Sequence, residues 1–236
     1  MRLFTALLPP AHVLDGTAQL AEKVAQLRAM DGAGRLRWAD RANWHITLAF
    51  YGEVGDGQLD GLRERLSRTA ARGRPLRLRI AGGGQFGHRS LWAAVAGAPA
   101  EEGATGPAGT DGAAPGPVRD EVPGPVRDEA HAPAHDPAYG PAAAEALRRL
   151  ASTTAAAGRR VGLGTDEPRR FRAHLTLARA RSSQLDLGPY IAELDAFAGE
   201  PWTAAELALV RSNLPESGVP GEQPRYERIA AWPLGR

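Results

Sequence analysis

Two hexapeptides in this chain carry the same potential chemistry: Trp44-His45-Ile46-Thr47-Leu48-Ala49 and Ala173-His174-Leu175-Thr176-Leu177-Ala178. Each sets a His and a Thr two positions apart among apolar residues. In an extended strand successive side chains alternate faces, so imidazole and hydroxyl share one face while Ile46, Leu48, Leu175 and Leu177 point the other way. Two such strands, one in each half of the chain, suggest a cleft where two imidazoles face one substrate. An imidazole titrates near neutrality, so the pair can act as general acid and general base. Thr47 and Thr176 can donate hydrogen bonds to oxygens on which negative charge concentrates. The spacing does not say which His is acid and which is base.

The 236 residues must provide elements that hold these strands, and that length can bury a substantial core. The block 1–96 reads as strand Arg2–Leu7, helix Pro10–Met30 (Val13, Leu14, Thr17, Leu20, Val24 and Leu27 inward, Asp31-Gly32 closing it), and strand Trp44–Phe50. A helix from about Asp56 to Gly73, strand Leu76–Ile80, a turn at Gly82-Gly83-Gly84 and strand Leu91–Ala96 complete it. The block 141–236 reads as helix Pro141–Ala157, strand Ala173–Arg179, helix Pro189–Phe197, and strands Ala205–Val210 and Tyr226–Trp232. The expected fold is α+β and bilobal with a pseudo-twofold axis. Each block forms one lobe, an antiparallel sheet with helices outside, and a cleft runs between the lobes.

Between the blocks, 97–140 is rich in Gly, Ala and Pro and repeats an octapeptide, Pro115–Val122 then Pro123–Ala130. It offers too little apolar surface to offset the entropy of ordering, so a disordered insertion is expected. There is no cysteine, which excludes disulfide frameworks, thiolate metal sites and cysteine nucleophiles. The opening apolar run is short and ends at Pro9-Pro10, so it reads as a strand rather than a signal peptide. No stretch approaches the length of a membrane span. A soluble, cytoplasmic monomer is expected. All basic residues but Lys23 are arginine, and the net charge is only +2. Arginine count is therefore a compositional habit, and only the placement of particular arginines informs.

The paired motifs, with Arg2–Ala6, Trp44–Glu53, Gly84-Gln85-Phe86, Phe171–Arg179 and Arg225–Trp232, resemble the 2H phosphoesterases. Within these the chain is similar to the RNA 2′,3′-cyclic phosphodiesterases, also described as 2′-5′ RNA ligases. The resemblance implies hydrolysis of RNA 2′,3′-cyclic phosphate ends to 2′-phosphomonoesters, with His45 as proton donor and His174 as proton acceptor; no His-Glu-x-x-His or carboxylate cluster appears, so catalysis without metal or cofactor is expected. RNA ends or small cyclic nucleotides are the implied partners. Alternatives that keep the same site are 2′-5′ ligation, another cyclic nucleotide or ADP-ribose phosphodiesterase, or a non-catalytic RNA-end binding module. The resemblance also places an Arg at 179, although strict alternation turns Arg179 away from His174, so a bulge must redirect it. Phe50, Phe86, Trp92, Phe171 and Tyr226 are candidates to stack a base, with core packing as the competing role. The sequence departs from the pattern in the length of 97–140 and in Ala173, where a Pro is common. His12 and His88 read as surface residues. His131 and His135, with Asp136, lie in the insertion as a weak metal-binding candidate. Gly82-Gly83-Gly84 lacks the Lys-Ser/Thr of a phosphate-binding loop.

Overall fold

The computed structural model describes residues 1–15, 19–98, 141–164, 171–182, 185–215 and 222–235. Nine strands and five helices follow in chain order among them. They are β1 (Arg2–Leu7), α1 (Ala11–Asp15), α2 (Leu20–Met30), β2 (Leu36–Trp38), β3 (Ile46–Glu53), α3 (Asp56–Arg72), β4 (Leu76–Phe86) and β5 (Ser90–Gly97). Then come α4 (Pro141–Arg159), β6 (His174–Ala180), α5 (Gly188–Asp195), β7 (Trp202–Ala204), β8 (Glu206–Asn213) and β9 (Arg225–Pro233).

Two antiparallel sheets result, ordered β3-β1-β8-β9 and β2-β6-β5-β4-β7. With the short edge strand β2 set aside, the second order reproduces the first, β6 standing where β3 stands, and this is the expected pseudo-twofold. The lobes are not the sequence blocks, however. The first sheet takes β1 and β3 from before residue 97 and β8 and β9 from after 141, and the second sheet is mixed in the same way. Helices cross over too: α4 packs on β3 of the first sheet and on β4 and β5 of the second, α3 packs on α4 and β9, and α5 packs on β4. Reading consecutive elements as neighbours missed this, because strand pairing is settled by long-range burial rather than by sequence order.

The alternation within each strand decides what the sheets bury. In β1, Leu3 and Leu7 join the main core under the helices, whereas Phe4 and Ala6 form a second apolar cluster with Ala208 and Val210 on the opposite face. Behind β3, Tyr51 is buried and its hydroxyl donates to the Thr154 carbonyl at 3.0 Å, tying the strand to α4. Burial pushes the Tyr51 phenol well up from its usual value, more than its hydrogen bond with Thr5 pulls it down.

Several sequence expectations need correction. The helix expected over Pro10–Met30 is two helices, because Gln19 is extended (φ −92°, ψ 179°) and its buried side chain accepts from Glu200 N. Thr17 lies outside the described residues. Strands β2 and β7 are three residues each, too short to leave a periodic signal. The carboxylate of buried Asp31 accepts from the backbone N–H groups of Arg35 and Leu36 and from Trp38 Nε1, which is what seats β2. Strand β5 runs through Gly97, and Ala98 N donates to the Arg77 carbonyl, so the sheet claims the first residues of the expected insertion. Residues 99–140, with His131, His135 and Asp136, lie outside those described.

Gly82-Gly83-Gly84 is not a turn but the middle of β4; the reversal comes at Gly87 and His88, both with positive φ. Gly82 has a positive φ, and side chains lie across the other two. A Cβ on Gly84 would stand 2.4 Å from the Trp92 ring, and one on Gly83 2.6 Å from Leu194. Both are closer than real contacts allow, and Trp92 is fully buried and cannot swing aside. Gly84→Ala is expected to lower stability by about 1–3 kcal/mol, the range for overpacking. Urea unfolding would measure it, and an unchanged midpoint would contradict the cradle.

Candidate active site

His45 ends the segment leading into β3, and His174 opens β6. Each ring is held by its own chain. His45 Nδ1 lies 2.7 Å from the Asn43 carbonyl, and His174 Nδ1 2.8 Å from the Arg172 carbonyl, both two residues upstream. A carbonyl only accepts, so both Nδ1 atoms carry hydrogen and both Nε2 atoms are the ones left for chemistry. Asn43 is itself fixed: its Nδ2 donates to the Pro224 carbonyl at 3.2 Å, and Gln223 Nε2 donates to the Trp38 carbonyl at 2.9 Å. That bridge joins the edge of one sheet to the approach of β9 in the other.

The rings are half-buried among aromatics. Phe4 lies 4.7 Å from His45 between centroids, and Tyr226 stands edge-on to it at 4.9 Å. Phe86 stands edge-on to His174 at 4.9 Å, and Trp92 lies at 6.0 Å. Burial drives the His45 pKa down to about 4, the bond to Asn43 partly opposes it, and the charge of His174 lowers it further. Burial likewise lowers His174, with the Arg172 carbonyl opposing and the Arg172 charge adding to the fall. The charge of His174 thus reaches His45, although different sheets contribute the two rings.

Thr47 and Thr176 are half-buried on the faces of their histidines, as alternation requires, and among the described residues neither hydroxyl is engaged by a protein partner. Beyond each Thr the alternation breaks in the same way. In β6, Thr176 pairs with Trp92 but Ala178 pairs with Leu91, so Leu177 is an extra residue. In β3, Thr47 pairs with Ala6 but Ala49 pairs with Thr5, so Leu48 is extra. Buried neighbours Leu48-Ala49 and Leu177-Ala178 record the two bulges, and the next residue of each strand returns to the histidine's face. That residue is Phe50 in β3 and Arg179 in β6. Strict alternation therefore misplaces Arg179. Its charge lowers the Tyr226 hydroxyl pKa against the larger upward push of burial, with Arg2 acting alike, which puts the guanidinium near the ring that touches His45.

Of the stacking candidates, Phe86 is 39% exposed beside His174, Tyr226 is half-buried beside His45, and half-buried Phe50 stacks on Phe4, which in turn lies against His45. Trp92 is fully buried and serves the core, and Phe171 packs against the core as well. His12 and His88 are exposed, as expected of surface residues. Sequence reasoning passed over Arg2, whose guanidinium lies 4.9 Å from the Phe50 ring centroid, together with Phe4, Asn43 and Gln223. Only the pairing of β1 with β3, and of the β9 approach with β2, gives these residues a role.

Two similar antiparallel sheets, each carrying a His and a Thr at its motif strand, are the frame of a two-histidine phosphoesterase. The family model described as LigT like Phosphoesterase matches residues 9–92 and 140–220, and the chain belongs to that family. A curated relative, an RNA 2′,3′-cyclic phosphodiesterase of Geobacillus stearothermophilus, is 26% identical over 201 residues, 84% of this chain. The chain spans about half the length of that relative, 47%. Among solved structures, TT0787 of Thermus thermophilus superposes with a TM-score of 0.63 at 20% identity. E. coli LigT complexed with 3′-AMP superposes at 0.60, also at 20% identity. Each covers 100% of this chain and 98% of its own, so the fold is shared throughout. No helix among the described residues is long and apolar enough to cross a membrane.

The depressed imidazoles make a measurable statement. In the unfolded chain His45 takes a proton near pH 6.5, but in the fold only near pH 4. Between those values the unfolded state binds more protons, so stability falls as pH drops from about 6.5 toward 4 and is fully restored above 6.5. NMR titration of the His45 ring should give a midpoint near 4, and His45→Gln should flatten the acid side of the stability curve. A midpoint of 6 or above would refute the buried setting.

Proposed function

We propose that this chain opens the 2′,3′-cyclic phosphate at RNA 3′ ends, leaving a 2′-phosphomonoester, by general acid–base catalysis between His45 and His174. The observation that carries this reading is the pair of Nδ1–H···O=C anchors, which leave both Nε2 atoms available in one electrostatically coupled site. His174 Nε2 takes a proton from a water, which attacks phosphorus. The 3′ oxygen departs on the opposite side with a proton from His45 Nε2, and the P–O3′ bond breaks as the new P–O bond forms. Thr47, Thr176 and the Arg179 guanidinium stabilise the charge gathering on the non-bridging oxygens. Phe50, Phe86 and Tyr226 offer ring surface to the base. The name of the curated relative and the 3′-AMP held by E. coli LigT agree with a ribonucleotide substrate.

The acid must hold a proton that the empty site releases easily. A bound phosphate supplies that condition, because its negative charge beside His45 favours the imidazolium. Without substrate both pKa values lie below the ordinary histidine value, and the productive state has His45 charged and His174 neutral. The pH optimum of kcat/KM, which reports the free enzyme, should therefore lie on the acid side of 6.5. That of kcat, which reports the complex, should lie higher. Steady-state rates on a cyclic mononucleotide across the acid and neutral range would test this, and coincident optima would count against phosphate-assisted protonation.

His45→Ala and His174→Ala should each lower kcat by about two to four orders of magnitude, the usual contribution of a general acid or base. Turnover should persist in excess EDTA, and phosphorus NMR of the product should show a 2′-phosphate. A 3′-phosphate product, or full activity in either variant, would overturn the proposal.

A further inference from the structure

A groove of about 850 Å³ opens between α3 and α4, on the side of the first sheet that the Tyr51–Thr154 bond marks as opposite to His45. Six arginines line it: Arg65, Arg68 and Arg72 along one face of α3, Arg74 just beyond, and Arg149 and Arg160 on α4 and its end. Arginine abounds in this chain, so number alone means little. Pairing is the discriminating observation. Elsewhere on these helices arginines meet carboxylates, Arg63 with Asp60 and Arg148 with Glu145. In the groove Arg68 meets Glu64, but Arg65, Arg72, Arg74, Arg149 and Arg160 have no acidic partner among the described residues. Glu145, the one acid lining the groove among those residues, is occupied by Arg148.

Five like charges gathered without counterions among the described residues repel one another, and a protein tolerates that where an anion joins them. Guanidinium forks match phosphate oxygens in pairs, and the three arginines of α3 span about 10 Å at 1.5 Å per residue, a track longer than one phosphate. Small side chains on α4, with Leu150 beneath, leave room for a chain to lie along it. We infer that the arginine-lined groove between α3 and α4 is a second RNA site, gripping the sugar–phosphate backbone of the substrate strand away from the catalytic cleft. This rests on the RNA reading above. The groove binds by charge, without base recognition, so it favours long RNA over mononucleotides and leaves the chemistry of a mononucleotide untouched.

The test is fluorescence anisotropy of a labelled RNA of about 20 nucleotides ending in a 3′-hydroxyl, which the enzyme cannot turn over, titrated with the full chain from about 50 to about 300 mM salt. Each phosphate contact on a single strand contributes about 0.7 to the slope of log K against log salt. The triple variant Arg65→Gln, Arg72→Gln, Arg149→Gln should therefore lose about 2 from the slope and at least about tenfold in affinity at low salt. The triple Arg→Lys variant, which keeps the charges, should retain most of both. Turnover of a cyclic mononucleotide should match wild type in both variants, and that assay reports separately on the cleft and on the fold. Equal affinity and slope in the Gln variant and the wild type would overturn the inference. So would a dependence on these arginines that emerges only after deletion of the acidic stretch 99–140, since that stretch would then be the occupant.

Discussion

The site depends on a short hydrogen bond that each catalytic candidate makes to its own backbone. By donating Nδ1–H to the carbonyl two residues earlier, His45 and His174 give up rotation and tautomeric choice together. What remains is Nε2, a lone pair when the ring is neutral and a proton when it is charged. The same anchor serves either state, so one geometry can supply an acid on one strand and a base on the other. Burial among Phe4, Tyr226, Phe86 and Trp92 then makes the neutral form the resting one.

A second constraint acts through the backbone alone. Both motif strands take an extra residue directly after the Thr, and each bulge returns the third residue beyond it to the histidine's face. The two sheets use that common device for different side chains: an aromatic at Phe50, a cation at Arg179. The pseudo-symmetry is thus one of framework and not of chemistry. One motif strand gains a ring on its histidine's face and the other a positive charge, which under the proposed function would meet a base and a phosphate.

Much of this was legible because it is local. A His-x-Thr spacing shares one face in any extended strand, and Leu62, Leu66 and Ala70 line one side of α3 as helical periodicity demands. Other features resisted for physical reasons. Gly82-Gly83-Gly84 looks like a turn in sequence, and only the positive φ of Gly82 with Leu194 and the Trp92 ring lying across Gly83 and Gly84 explains a glycine run inside a strand. The short strands β2 and β7 hold their place through partners, and Gln223 bridges the sheets, so neither has a pattern of its own.

Residue order alone was enough for the class of fold and the family resemblance, and it singled out two histidines and two threonines as the candidates for chemistry at a phosphate. Those properties follow from side-chain identity and from the period of a strand. Folding settled the rest: the sheets interleave the two halves of the chain, bulges bring Phe50 and Arg179 to the histidines' faces, and arginines of α3 and α4 without acidic partners share a groove. Each of these is a matter of which distant segments bury surface together, and pairwise proximity across a folded chain is not written in the order of its residues.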